Sequence, residues 1–216
     1  MVIGFSGAPF TLACYAIEGA TSREFTVARE FFFREPQTAQ RLMCHLSDGV
    51  VGYLNAQIEA GANAIQIFDS WGGVLSPEDY RNWILPHMQT IVTRIKRPEI
   101  PVIIYLNGTS HLVDVLKDIP CDVLSLDWRT EMPSAAAQCT GQTALQGNLD
   151  PIALYASGEE ISRRAASIMA QMDKTSKGHV FNLGHGIMPT TPEKNVHSLV
   201  HTVHSTPPKV NGHPRI

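Results

Sequence analysis

The chain has 216 residues, 44% of them hydrophobic and 17% charged, enough for one large globular domain and too few for two comfortable ones. Seventeen Lys and Arg against twenty Asp and Glu give a formal net charge of -3 with no basic tract, which argues against nucleic acid as a partner. The longest apolar runs, such as Val102-Ile103-Ile104-Tyr105-Leu106, fall far short of the roughly 20 residues of a membrane-crossing helix, so a soluble protein without a membrane partner is expected.

In chain order, Met1-Val2-Ile3-Gly4-Phe5 lacks the basic region and cleavage site of a signal peptide and reads as a β-strand, Val2 to Phe5, already under way at the first residue. A short helix is expected near Thr11 to Glu18 and a long one from Thr38 to Ala60, followed by a strand at Ala64 to Phe68 and a helix from Glu78 to Lys96. Next come a strand at Val102 to Leu106, a short helix near Leu112 to Lys117, and strands at Val123 to Leu126 and Thr143 to Gln146. A helix at Glu159 to Met172, a strand at His179 to Leu183 and a helix at Pro192 to His204 complete the pattern. Pro36, Pro77, Pro151 and Pro192 sit near helix starts, where a missing N–H costs nothing.

Strand then helix, repeated, with nearly continuous apolar strands, predicts a parallel sheet covered on both faces. An open doubly wound sheet and a closed (β/α)8 TIM barrel both fit, but no Gly-rich phosphate turn follows the first strand. Polar residues instead follow nearly every strand: Ser6, Asp69-Ser70, Asn107, Asp127, Asn148 to Asp150 and His185. Strand ends of this kind are where barrel enzymes hold their chemistry, which favours the barrel. Six strands are visible against the eight of a closed barrel, so the expectation is an incomplete barrel over residues 1–205 whose first two βα units are missing. The Pro- and Gly-rich stretch 206–216 is expected to be a disordered tail.

His185 lies between two glycines in Asn182-Leu183-Gly184-His185-Gly186, where a tight turn would bring its imidazole into a shared cavity. Asp69 and Ser70 end the second strand and by the period of two point to opposite sides; one should face the cavity, unless Asp69 caps the helix beyond Pro77. Tyr15 sits on a short helix near the barrel mouth, as core packing or as a phenol at the site. Asp127 is open between a substrate contact, a group that orients a neighbour and a structural carboxylate, whereas Asp150 reads as an N-cap. His197 and His201 share a helix face, yet no third ligand accompanies them, so no metal site is expected. Cys14, Cys44, Cys121 and Cys139 have no CxxC spacing and read as buried or incidental thiols of a reducing compartment.

Taken together, Gly4 to Gly19 (GFSGAPFTLACYAIEG), Ile65 to Gly72 (IQIFDSWG), Leu124 to Trp128 (LSLDW), Leu145 to Pro151 (LQGNLDP) and Asn182 to Gly186 (NLGHG) resemble the uroporphyrinogen decarboxylase family, in order and over nearly the whole chain. That resemblance implies a (β/α)8 barrel, usually a homodimer, that removes the four acetate carboxyls of uroporphyrinogen III as CO2 to give coproporphyrinogen III, without metal or organic cofactor. It further implies that Tyr15, Ser70 and His185 meet the substrate as the catalytic set and that Phe5 and Phe68 form apolar walls against the macrocycle. The family's central aspartate and substrate-binding arginine loop find no counterpart in this sequence, and Asp69 and Asp127 belong to the wrong strands to replace that aspartate. Only Arg129 supplies a cation near a strand end. A cytoplasmic home is expected, with an organelle open. A corrinoid- and zinc-dependent methyltransferase on the same barrel, and a non-catalytic barrel fragment acting through a partner, stay as alternatives; the segment Asn107-Gly108-Thr109-Ser110 carries none of the His and Cys ligands the former tends to place there.

Overall fold

A computed structural model of the protein describes residues 1–20, 22–95, 99–139 and 141–206. The chain divides into two compact units, Met1–Val123 and Leu124–Ile216. The expected tail lies, apart from Thr206, outside the described residues.

The first unit runs β1 (Ile3–Gly7), α1 (Pro9–Glu18), α2 (Thr26–Arg34), α3 (Pro36–Glu59), β2 (Ala64–Asp69), α4 (Pro77–Asp79), α5 (Leu85–Arg94), β3 (Val102–Leu106) and α6 (Val113–Leu116). Its strands are parallel and follow chain order, with Phe5 beside Gln66 and Ile67 beside Ile104. Each crossover is helical, the arrangement that parallel pairing requires. Every residue of β3 and nearly every one of β2 is buried. Ile65, Ile67, Ile104, Met43, Leu54, Ile58, Met88 and Ile91 make up the centre of this core.

The second unit holds most of β4 (Val123–Ser125), then α7 (Met132–Gln138), β5 (Ala144–Leu149), α8 (Gly158–Met172), β6 (His179–Leu183) and α9 (Glu193–Ser205). The strand order is β4-β5-β6, and β5 and β6 are parallel. Leu149, Leu154, Ile161, Ala165, Met169 and Leu199 form its core, with Phe181 and Val196 packed against them. The i, i+4, i+8 spacing of Ile161, Ala165 and Met169 is the buried stripe of an amphipathic helix.

Three helical segments depart from expectation. The stretch from Glu78 to Lys96 is interrupted, with a π-helical turn at Tyr80–Ile84 between α4 and α5. Pro86 is the cause, since it has no N–H to give the carbonyl four residues back and its ring crowds that turn; Lys96 lies outside the described residues. The helix α2 was not anticipated, because Phe31-Phe32-Phe33 breaks the 3.6-residue period and only Ala28 and Phe32 of this helix are buried. The turn α7, rich in small residues, was missed for the same lack of a periodic apolar signal.

The outer edge of β1 has a cap of its own. The Gln57 side chain accepts from the Phe5 N–H at 2.7 Å and donates to the Phe5 carbonyl at 3.0 Å, so one amide from α3 satisfies the pair of groups that a neighbouring strand would meet. Gly4 makes this possible, because a Cβ there would fall 2.4 Å from Gln57 Oε1.

Candidate functional site

The β2 terminus organises the candidate residues of the first unit. Asp69 is fully buried and accepts three hydrogen bonds: from Thr11 Oγ1 at 2.9 Å, from the Gly72 N–H at 3.1 Å and from the Tyr80 hydroxyl at 3.0 Å. Burial pushes its carboxyl up to about 6, against the three hydrogen bonds, which favour the charged form. Asp69 therefore does not face a cavity, and the expected helix cap falls to Ser76, whose Oγ accepts from the Asp79 N–H.

Asp69 ties α1 to the loop after β2. Thr11 Oγ1, itself donating to Asp69, accepts from the Trp71 N–H at 3.3 Å. Tyr15 stands one helical turn beyond Thr11, half exposed, its ring edge-on to Trp71 with centroids 6.2 Å apart. Ser70, partly buried, immediately precedes that same tryptophan. Tyr15 and Ser70 are thus set around Trp71 by one hydrogen-bonded junction. The Cys14 thiol behind them is buried, and burial together with the nearby Asp69 pushes it up to about 12, which makes it inert.

The two expected walls also come together. Phe5 meets Phe68 edge-on at 6.0 Å, and Phe68 meets Tyr105 at 5.6 Å, an aromatic row across β1, β2 and β3. Phe5 is 62% exposed although it is a large apolar residue, and so offers a bare ring face.

His185 belongs to the second unit, where it follows β6 and is exposed. Its ring stands perpendicular to that of Trp128 with centroids 6.2 Å apart. Of the two flanking glycines only Gly184 has a steric reason: a Cβ there would fall 2.3 Å from the Trp128 nitrogen, whereas one at Gly186 would meet nothing. Close approach to the β4 loop, not a left-handed turn, is what requires glycine at position 184.

That loop is fastened from beneath. Asp127, fully buried, accepts from Arg129 Nη1 at 2.6 Å and from Thr130 Oγ1 at 3.1 Å. Asn148 Nδ2 donates to the carbonyls of Asp127 and Thr130 at 2.8 and 2.6 Å. Asp127 is thus a group that orients its neighbour, and the neighbour is Arg129. Asp150 accepts from the Ile152 N–H at 2.9 Å, the capping role expected of it. The residues that sequence reasoning missed are Thr11, Tyr80 and Gln57, each a partner supplied by another element.

Among the described residues no three His, Cys, Asp or Glu side chains gather as a metal-binding group, and His197 contacts Glu193 while His201 contacts Ser205. None of their helices is long and apolar enough to cross a membrane. None of the four cysteines is in a disulfide, and Cys14, Cys121 and Cys139 are buried.

In solved structures the fold has a counterpart in a methyltransferase from Methanosarcina mazei, with a TM-score of 0.80 over 93% of this chain and 57% of that one at 19% identity. A putative B12-independent methionine synthase from Listeria monocytogenes gives a TM-score of 0.62 at 10% identity, over 94% of this chain and 62% of that one. At such identities these likenesses speak for the α/β barrel type of fold alone. Among curated relatives, the uroporphyrinogen decarboxylase of Synechococcus sp. (strain JA-2-3B'a(2-13)) is 43% identical, and that of Psychromonas ingrahamii 44% identical, each over 94% of this chain. That of Hydrogenovibrio crunogenus is 42% identical over 96% of it. The chain spans 58 to 60% of the length of these relatives. The family model described as Uroporphyrinogen decarboxylase (URO-D) matches residues 1–206, and the chain therefore belongs to the uroporphyrinogen decarboxylase family.

Proposed function

We propose that this chain carries the Tyr15, Ser70 and His185 part of a uroporphyrinogen decarboxylase site, acting in conversion of uroporphyrinogen III to coproporphyrinogen III and CO2. The observation that carries the reading is the 42 to 44% identity to decarboxylases over 94% or more of the chain; the three residues lie in the stretches whose sequence resembles the family. Protonation of a pyrrole ring carbon turns the ring into an electron sink. The bond between the acetate methylene and its carboxylate then breaks, its electrons enter the ring and CO2 leaves. A proton delivered to the exocyclic carbon gives the methyl group, and loss of the ring proton restores the pyrrole. Such chemistry asks the protein for positioned proton donors and charge stabilisation rather than for a metal or organic cofactor.

In this scheme His185, exposed against Trp128, exchanges the proton, Tyr15 and Ser70 hold carboxylate arms through their hydroxyls, and the Phe5 and Phe68 rings bear the apolar macrocycle. A homodimeric state and a cytoplasmic home belong to the same proposal. The central aspartate and arginine loop find no counterpart here, so the 216 residues alone are expected not to turn over. Joined to the segment of the Synechococcus relative that this chain does not match, they are expected to release coproporphyrinogen, followed by chromatography of the oxidised porphyrins. His185→Asn in that fusion should cost about a hundredfold or more in kcat, the scale of general acid–base catalysis. Full activity in His185→Asn would overturn the site, and an inactive fusion beside an active relative would overturn the function.

A further inference from the structure

The proposed substrate is a polyanion, and a cavity that admits it must offset the loss of carboxylate hydration with cations. The second unit holds one group built for this. The Arg129 guanidinium carbon lies 3.9 Å from the centroid of the Trp128 ring, a stacked cation–π arrangement. Its Nη1 donates to Asp127 Oδ2, and the pair is one-sided: the Asp127 carboxylate is wholly buried while the Arg129 side chain is 50% exposed. Solvent therefore meets the cationic end of the ion pair.

Asp127 is itself held by Thr130, and its loop by Asn148, so the arginine has a rigid anchor below and a flat support beside it. An arginine fixed in this way loses less rotamer freedom when it meets a ligand, and its planar donors match a carboxylate side-on. The same indole stands perpendicular to the His185 ring, with centroids 6.2 Å apart. One tryptophan thus supports both the proton-exchanging residue and a guanidinium.

We propose that Arg129, stacked on Trp128 and anchored by buried Asp127, is a carboxylate-binding group that meets an acidic side arm of the tetrapyrrole beside His185. The inference rests on the decarboxylase reading for the identity of the ligand and on the geometry for its carboxylate chemistry. Arg129→Gln keeps the length and removes the charge; Arg129→Lys keeps the charge and loses the planar fork.

The purified chain is titrated with uroporphyrin, the oxidised octacarboxylate, and with mellitate, a small aromatic polycarboxylate. Binding is read from the Trp128 indole N–H resonance, and circular dichroism verifies that each variant is folded. Charge-assisted hydrogen bonds of this kind set the expected loss in Arg129→Gln at roughly tenfold to a hundredfold in affinity, with a shallower salt dependence and Arg129→Lys between. Uroporphyrin binding that differs less than twofold between wild type and Arg129→Gln overturns the inference and leaves the decarboxylase reading standing. Mellitate binding that depends on Arg129, with no uroporphyrin binding, upholds the carboxylate site and overturns the tetrapyrrole. Binding of neither ligand overturns both.

Discussion

Asp69→Asn tests whether the junction at the end of β2 is held by a carboxylate kept against its preference for water. The folded state holds the Asp69 proton up to about pH 6, against 3.8 for the unreacted side chain, because burial outweighs the hydrogen bonds from Thr11, Tyr80 and Gly72. Between those values the folded protein binds more protons than the unfolded one, so this residue's contribution to stability falls as the pH rises from about 4 to 6 and is lost above. Roughly two pH units at 1.36 kcal/mol each make that loss about 3 kcal/mol. Asparagine resembles the protonated carboxyl: its carbonyl accepts from Thr11 and Gly72, and its amide faces the Tyr80 oxygen. Wild type and Asp69→Asn should therefore match near pH 4, and the variant should become the more stable by up to about 3 kcal/mol at pH 7. Urea unfolding at pH 4, 5, 6 and 7, followed by circular dichroism, measures the difference. A difference that does not change with pH, or one that turns against the variant as pH rises, refutes the reasoning, since the second outcome would mean that the ionised form is the one the site stabilises. The exposed carboxylates held low by Arg94, Lys117 and Arg163 are common to both proteins and cancel.

Gly184→Ala should destabilise the second unit by about 1 to 3 kcal/mol, the range of overpacking, because its Cβ would overlap the Trp128 backbone nitrogen. Thermal unfolding checks this, and the His185 and Trp128 ring resonances should shift together. Gln57→Leu removes both hydrogen bonds to Phe5 at an edge that water can reach, so stability should change by only about 1 kcal/mol. The bared edge beside exposed Ile3 and Phe5 should instead raise concentration-dependent association in sedimentation velocity.

Much of the fold was legible because strands buried on both faces are written as nearly continuous apolar runs: Ala64 to Phe68, broken by Gln66, and Val102 to Leu106 can be little else. The long helix α3 announced itself by its period and by Pro36 at its start. By contrast, α2 buries only two side chains and has no stripe to read. The π turn before Pro86 lies inside a segment whose periodicity looks helical throughout. The strand-end positions of Ser70 and His185 were visible as motifs, since turns after strands are marked by glycine and small polar residues, while Tyr15 lies within α1.

What each acidic residue does was not visible. From spacing alone Asp69, Asp127 and Asp150 are equivalent carboxylates at strand ends, and each finds a partner within its own turn: Gly72 for Asp69, Arg129 and Thr130 for Asp127, and Ile152 for Asp150. Asp69 takes a hydroxyl from a helix 58 residues earlier, and Asn148 crosses 21 residues to close the Asp127 turn. By itself the sequence determined the parallel βα order, the family and the residues offered at the strand ends, because these depend on local period and motif. Only tertiary structure decided which carboxylate is buried, that Asp69 joins α1 to the β2 loop, and that Arg129 and His185 share one tryptophan, because burial and hydrogen-bond partnership are settled between elements far apart in the chain.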